Sequence, residues 1–328
     1  MVKHTFKLLI LILALNRVGE AAAIGAPQTH SNSAVRKLQA WRDQAVRALE
    51  ARADANSLAT AAALSFRNNH APPSAPAALQ LIARASEISP DSAAIDWLRL
   101  QLCAASPGCD SRDVATVLRW VDPDNGAAWL WRLASAHKDK DTIEVDRVLA
   151  GMARGTRFDF YYNQLLVLMF DALSAVQRGL PRGVLASDAA KFDELEGIAH
   201  AELLPPLSPL TAVCREPAAL ERRENCLKLA KIMHKGDTVA VQMAGFAIEK
   251  FLLPPESREA RVAAERKRLL EWRAAAADKM DASILPWTRN SRVRARLAEM
   301  RLRPREEDVC IALLRQHKMA LEPPENHR

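Results

Sequence analysis

The chain has 328 residues, of which 49% are hydrophobic, and its formal net charge is +7. This length is enough for one large domain or two smaller ones, and the charge is too mild for a polycation. The chain has 11 glycines, 5% aromatic residues and no run of alternating β-branched residues. Few of its segments therefore favour β-strands, and the composition predicts an all-α protein.

Residues 1–23 have the three parts of a secretory signal. A positive start is followed by an apolar run over residues 8–15 and by a small-residue end in which Ala21 and Ala23 fit a cleavage site. The run is far shorter than the roughly 20 residues that cross a bilayer, and Arg17 interrupts it. We therefore expect cleavage near Ala23 and export to the periplasm or the medium, with an N-terminal membrane anchor as the minor alternative.

Residues 24–76 are predicted to form an N-terminal helical pair and a linker. Apolar residues recur every three or four positions over 33–53, which indicates an amphipathic helix, and a second helix is expected over 58–66. Three prolines between Asn68 and Pro76 cannot continue a helix, so a boundary is expected there.

The next stretch carries a repeat pattern in Ala78, Ile82, Ala85 and Pro90. The two small residues let helices approach closely, Ile82 fills the groove between them, and the proline stops the helix. This spacing resembles the second helix of a tetratricopeptide repeat, and the resemblance covers about a quarter of the chain. It implies antiparallel helical hairpins stacked as a solenoid over 77–178, with a concave surface that holds an extended partner.

Two Pro-Asp stops, at Pro90 and Pro123, lie 33 residues apart, close to the repeat length of 34. Each stop precedes a tryptophan-containing helix. Trp97, Trp129 and Trp131 are therefore candidates for the concave surface, although core packing is the commoner position of such tryptophans.

Tyr161 and Tyr162 belong to an aromatic cluster at the start of a long apolar helix predicted over 158–177. Aromatic bodies with polar tips suit a ligand groove, and they suit the buried start of a helix equally well. Both tyrosines are therefore candidate binding residues.

The C-terminal helical region is predicted over 185–320, followed by a disordered tail over 321–328. Its expected helices cover 187–204, 217–235, 238–252, 257–280, 292–302 and 305–319. The end of the second of these, His234-Lys235-Gly236, is predicted to place cations at a helix C-terminus before a glycine cap.

An arginine-rich segment gives this region its positive charge, since residues from Ser257 onward include 17 Lys and Arg against 11 Asp and Glu. The basic patch consists of Arg289, Arg292, Arg294, Arg296, Arg301, Arg303 and Arg305. A solvated helix face explains it without any partner, and association with a membrane surface is the alternative. Because an exported protein rarely meets DNA, no nucleic-acid partner is expected.

The five cysteines fit an oxidising compartment. Cys103 and Cys109 flank a Pro-Gly turn and are expected to form a disulfide. Cys214 and Cys226 are the second expected pair if the helix between them begins near Leu220; otherwise Cys226 pairs elsewhere, with Cys310 as a candidate.

No catalytic, metal-binding or cofactor-binding motif is present in the sequence. Glu196 and His200 would share a helix face and could in principle bind a divalent ion, but a solvated face is the commoner outcome. We expect no cofactor and no metal.

Two functions follow from these features. The leading hypothesis is a protein–protein interaction or scaffolding module of the cell envelope that binds another protein or a peptide. The alternative is a glycan-directed envelope hydrolase whose carboxylate pair is assembled only by the fold. A pocket with two close carboxylates beside exposed aromatics would favour the hydrolase, and a groove without them would favour binding.

Overall fold

The computed structural model describes residues 29–68, 75–181, 183–215, 219–282 and 286–324. The predicted signal peptide and the last four residues of the predicted tail lie outside these ranges. The described residues form fifteen α-helices and no strands, which confirms the all-α prediction. Their only strand-like pairing is one isolated parallel bridge between Asn125 and Arg157.

The helices follow one another in chain order with short connections. They are α1 Thr29–Arg52, α2 Ala55–Asn68, α3 Ala75–Ile88, α4 Ala93–Ala104, α5 Ser111–Val121, α6 Leu130–Lys138, α7 Thr142–Met152, α8 Tyr162–Val176, α9 Asp188–Ile198, α10 Ser208–Arg215, α11 Leu220–Met233, α12 Val239–Leu252, α13 Arg258–Ala282, α14 Pro286–Leu302 and α15 Glu306–Gln316. The chain divides into two compact units, Met1–Leu38 and Gln39–Arg328. The first ten described residues belong to the first unit and are helical.

Helices α2 to α7 pack as successive hairpins, each against its neighbour in sequence. Within α3 the repeat-like positions Ala78, Ile82 and Ala85 are fully buried. The small side chains allow α3 to lie close to both α2 and α4, as their spacing predicts. A turn at Pro90 follows, and Ser92 caps α4 by accepting a hydrogen bond from the Ile95 backbone N–H. The hairpins are present, while their assembly as a solenoid stays a prediction.

Helix α8 lies among helices from both predicted regions, since it contacts α2 and α4 on one side and α9 and α14 on the other. It begins at Tyr162, four residues later than the sequence predicted. Tyr161 has a left-handed backbone conformation, with φ 56°, which interrupts the helix, and residues distant in sequence hold the segment before it. The side chain of Asn125 accepts a hydrogen bond from the Asp159 N–H, and the carboxylate of Asp237 accepts one from the Phe160 N–H, so these donors are engaged outside a helix.

Three other helix boundaries differ from the prediction. Helix α10 ends at Arg215 and α11 begins at Leu220, and the predicted helix start at Pro217 lies outside the described residues. Helix α14 begins at Pro286 instead of Arg292, because proline suits the first turn of a helix. The helix expected to reach Leu204 is α-helical only to Ile198 and continues as a π-helical turn.

Two disulfides link the expected cysteine pairs. Cys103 and Cys109 join the end of α4 to the start of α5, with Cα atoms 5.2 Å apart. Cys214 and Cys226 join α10 to α11, with Cα atoms 5.7 Å apart, and the helix start at Leu220 is the condition that the sequence had set for this pair. Cys310 is a buried thiol on α15.

Candidate functional site

A groove of about 970 Å³ lies in the C-terminal region, lined by residues of α11, α12, α13 and α15. Its size falls within the range of pockets that bind ligands. Helix α12 packs against both α11 and α13, and α13 packs against α15. The groove is therefore built from elements of one continuous helical layer, and not from mobile loops.

The floor of the groove is one face of α12. Gln242, Phe246 and Glu249 are spaced four and three residues apart, so they project from the same side of the helix, and all three are buried. Gly245 allows this helix to approach α11 closely. A Cβ atom at this position would lie 2.9 Å from the Ala230 carbonyl oxygen, so a larger residue would force the two helices apart.

His234 lies at the C-terminus of α11, where it closes one side of the floor. Its ring stacks on Phe246 with centroids 4.1 Å apart, and its Nε2 atom lies 3.3 Å from a Glu249 carboxylate oxygen. That nitrogen is buried and makes no hydrogen bond within the described residues. Burial, and then the positive charge of Arg266, lower the pKa of His234 to about 4. The sequence had predicted cations at His234 and Lys235: Lys235 is exposed at this helix end, whereas His234 differs from the prediction because its imidazole packs against the next helix.

The carboxyl group of Glu249 shows the matching effect. Burial raises its pKa, while the charges of Lys231 and Arg266 act in the opposite direction. The same two cations thus influence both members of the His234–Glu249 pair from opposite walls of the groove. Burial therefore disfavours the charged form of both side chains, and for Glu249 the two cations oppose this effect.

The rim of the groove is cationic. Lys231 on α11, Lys235 in the turn that follows it, and Arg258 and Arg266 on α13 all line the groove with exposed side chains. Within the described ranges none of the four makes an ion pair or a hydrogen bond to another side chain. Their charges are consequently available to a bound molecule.

The far end of the groove, on α15, is already neutralised. Glu307 accepts hydrogen bonds from Arg273 at 2.7 Å and from Arg305 at 2.8 Å. Asp308 also lies within 3.8 Å of the Arg305 guanidinium group. These four side chains hold α13 and α15 together and leave little charge for a ligand.

A buried turn between α11 and α12 fixes the position of the groove. The Asp237 carboxylate accepts backbone hydrogen bonds from Phe160 at 2.9 Å and from Tyr162 at 3.0 Å, and the Asp237 carbonyl oxygen accepts one from Glu306 at 2.7 Å. The Glu306 carboxylate accepts in turn from the Val239 N–H at 2.8 Å. The turn thereby joins the start of α8, the start of α12 and the start of α15, the last two of which bear groove residues.

The aromatic residues predicted to bind a partner are mostly in the core. Trp97 is fully buried and stacks on Phe160 with centroids 5.1 Å apart, and Tyr161 and Tyr162 are 8% and 2% exposed. The Tyr161 hydroxyl donates to the Asp122 carboxylate. The structure does not bring these side chains to a shared surface.

Trp129 and Trp131 are half-buried. The indole of Trp129 lies under the Arg119 guanidinium group, 4.4 Å from its centre, and packs against the glycine backbone at Gly151. The Trp131 indole N–H is buried without a hydrogen-bond partner among the described atoms. Both tryptophans contribute to packing around α6, and neither lines the groove.

The arginines of the basic patch carry acidic partners from neighbouring helices. Arg289 pairs with Asp193 at 2.7 Å, Arg294 with Asp188 at 3.0 Å and Arg296 with Glu196 at 3.2 Å, so α14 is fastened to α9. The remaining four contact Asp171 (Arg301), Glu299 (Arg303), Glu307 and Asp308 (Arg305) and the Met280 carbonyl oxygen (Arg292). The patch is thus compensated locally and is less basic than its sequence indicates.

Glu196 and His200 keep partly or fully exposed positions, and each contacts a side chain of a neighbouring helix. Glu196 pairs with Arg296, and the His200 ring nitrogen lies 3.0 Å from the Tyr162 hydroxyl oxygen. Among the described side chains no group of three potential ligands is arranged to hold a metal ion. Both residues serve the packing of α8, α9 and α14.

Sequence reasoning missed the groove, although it located the helices that form it. Spacing does show that Gln242, Phe246 and Glu249 share a face, and that Arg258, Val262 and Arg266 share another. What the sequence does not show is that α12 packs between α11 and α13, which brings these two faces together.

Comparisons with protein-family models, with curated proteins and with solved structures found no match to this chain. The residues themselves therefore carry the functional argument. In the part of the chain that the structure describes, no helix has both the length and the apolarity needed to cross a bilayer.

Proposed function

We propose that this protein is an exported binding or scaffolding module of the cell envelope, which holds a partner protein in the groove between α11, α12, α13 and α15. The observation that carries the proposal is the groove itself: a buried floor of Gln242, Phe246 and Glu249 under a rim of four exposed cations, none of which makes an ion pair with a described side chain. Such a surface gains free energy by desolvating and pairing with another molecule.

Export is supported by the two disulfides, since stable disulfides form in oxidising compartments and are rare where thiols are kept reduced. The predicted signal over residues 1–23 gives the route. We accordingly place the mature protein in the periplasm or outside the cell.

The hydrolase alternative receives less support from the groove. A glycosidase needs an available acid and an available carboxylate flanking the scissile bond. Here Glu307 and Asp308 are engaged by arginines, and Glu249 is buried against His234. The single aromatic ring of the lining, Phe246, is only 6% exposed and cannot offer a stacking platform to a sugar.

The proposal is tested by blocking the groove without touching its floor. Val262 lies on the rim and is 50% exposed, so Val262→Trp adds bulk over the groove while the core stays intact. Ile143 on α7 is 73% exposed and lies outside the groove, which makes Ile143→Trp the matched control. The wild-type mature chain and both variants are immobilised and used to capture proteins from an envelope extract.

We expect a protein that the wild type and Ile143→Trp retain equally and that Val262→Trp loses. Circular dichroism at 222 nm, recorded on both variants, shows whether the helices are intact. Equal recovery by the two correctly folded variants would contradict a binding role for the groove. Hydrolysis of purified envelope glycan by the wild type would instead favour the enzyme.

A further inference from the structure

We infer that the occupant of the groove is an acidic peptide segment bound in an extended conformation. This inference rests on the proposed function, because it names the chemistry of the partner for the same groove. It is carried by three properties of the described lining residues: the balance of charge at the rim, the length of the groove and the apolar strip along its floor.

The charge balance favours an anion. Four exposed cations, Lys231, Lys235, Arg258 and Arg266, face one exposed carboxylate among the described lining residues, that of Glu259. The remaining lining carboxylates are buried or held by arginines. A carboxylate that enters the rim meets unsatisfied positive charge, whereas a cation would be repelled.

The length of the groove sets the size of the occupant. Its lining along α13 runs from Arg258 to Arg273, and at about 1.5 Å per residue this is about 22 Å. An extended chain rises about 3.3 Å per residue, so six or seven residues fill it. Side chains on one face of such a chain are about 6.6 Å apart. Arg258 and Arg266, eight helical residues or about 12 Å apart on α13, come close to the spacing of about 13 Å between side chains four positions apart on such a chain.

The floor favours a peptide over other polyanions. Above the buried cluster of Phe246, Ala263 and Leu270, the groove is lined by an apolar strip that is still partly exposed: Val262 at 50%, and Leu269 and Ile311. Apolar side chains at the positions between the carboxylates would cover this strip and remove it from water. An acidic polysaccharide has the charge but lacks the apolar groups.

The test uses two fluorescein-labelled heptapeptides and measures their binding by fluorescence anisotropy. One alternates Glu with Leu, beginning and ending on Glu, and the other has Gln in place of each Glu. We expect the Glu peptide to bind at least about tenfold more tightly, and its affinity to fall as salt rises from about 50 mM to about 300 mM. The double variant Arg258→Gln/Arg266→Gln should weaken binding by about fivefold to tenfold.

Lys138→Gln/Arg154→Gln is the control, since both side chains are exposed, lie outside the groove and remove the same charge. It should bind the Glu peptide as the wild type does. Equal affinity for the two peptides, or equal loss in the two double variants, would overturn the inference. Displacement of the peptide by polygalacturonate at equal carboxylate concentration would assign the groove to an acidic glycan instead.

Failure of this inference can be separated from failure of the proposed function. If neither peptide binds while Val262→Trp still abolishes partner capture, the groove is a binding site for a partner of other chemistry. If Val262→Trp also leaves capture unchanged, neither the acidic segment nor the groove is the basis of binding.

Discussion

Replacing Asp237 by asparagine should destabilise the protein in a pH-dependent way. The carboxyl group is 3% exposed and accepts two backbone hydrogen bonds, from Phe160 and Tyr162. Burial, followed by the negative charge of Asp159, raises its pKa to about 8. Asparagine keeps one acceptor oxygen but turns its NH₂ group towards the second backbone donor, which costs about 1–3 kcal/mol when that N–H is left unsatisfied.

The pH dependence has a defined sign. Below pH 4 the group is protonated in both the folded and the unfolded state, so it adds no pH dependence to the free energy of unfolding. Between about pH 4 and pH 8 the unfolded chain releases its proton while the folded chain retains it, so the free energy of unfolding falls as pH rises. From pH 5 to pH 8 this loss is on the order of 3 kcal/mol. Asparagine does not titrate, so the variant does not lose this free energy as pH rises.

The variant is therefore expected to be less stable than the wild type at pH 5 and to approach or exceed its stability at pH 8. Urea unfolding followed by circular dichroism at 222 nm, with the disulfides intact, measures both values. Asp113→Asn is the control, because Asp113 is exposed on α5 and its replacement should change the free energy of unfolding only slightly. An offset for Asp237→Asn that is the same at pH 5 and pH 8 would refute the reasoning.

Three further changes are predicted. Gly245→Ala should cost about 1–3 kcal/mol in urea unfolding, because its Cβ would press on a backbone carbonyl 2.9 Å away, while Gly179→Ala, which meets nothing within 4 Å, should be near neutral. Burial keeps His234 neutral in the folded chain, so its own contribution to stability should fall by ~2 kcal/mol as pH drops from 6.5 towards 4, opposing the rise that Asp237 gives; the free energy of unfolding of His234→Gln should therefore rise by this amount relative to the wild type over that range, and a difference that does not change with pH would contradict the lowered pKa. Under oxidising conditions, Cys103→Ser should be less stable than the wild type by about 2–3 kcal/mol in thermal unfolding. When both proteins are reduced, this difference should disappear.

Local patterns in the sequence predicted most of the helices. The spacing of Ala78, Ile82 and Ala85 placed all three in a buried helix–helix contact, and the Pro-Gly turn between Cys103 and Cys109 placed a disulfide. These features depend on residues that are near one another in the chain. Periodicity, prolines and helix caps report such short-range relations directly.

The errors have long-range causes. Helix α8 starts late because Asn125 and Asp237, distant in sequence, take up the hydrogen-bonding groups of the residues before Tyr162. The ion pair that Arg289 makes across two helices was missed because its partner Asp193 lies 96 residues away. Neither contact has a local signature.

The same limit applies to the candidate site. The sequence singled out aromatic residues as binding candidates because large aromatic side chains often serve that role, yet Trp97 and Tyr162 are needed to fill the core around α8. The groove consists of ordinary helix-surface residues whose significance depends on the packing of α12 between α11 and α13. No single residue of Lys231, Val262 or Arg266 is unusual by itself.

Site-specific photo-crosslinking in living cells tests the central claim most directly. A benzophenone amino acid is introduced at position 262, on the rim of the groove, and in a second strain at position 143, on the exposed face of α7. We predict a discrete higher-mass adduct from position 262 in the envelope fraction, absent at position 143 and lost in Arg258→Gln/Arg266→Gln. Adducts of equal yield from both positions, or from position 143 alone, would contradict a partner held in the groove.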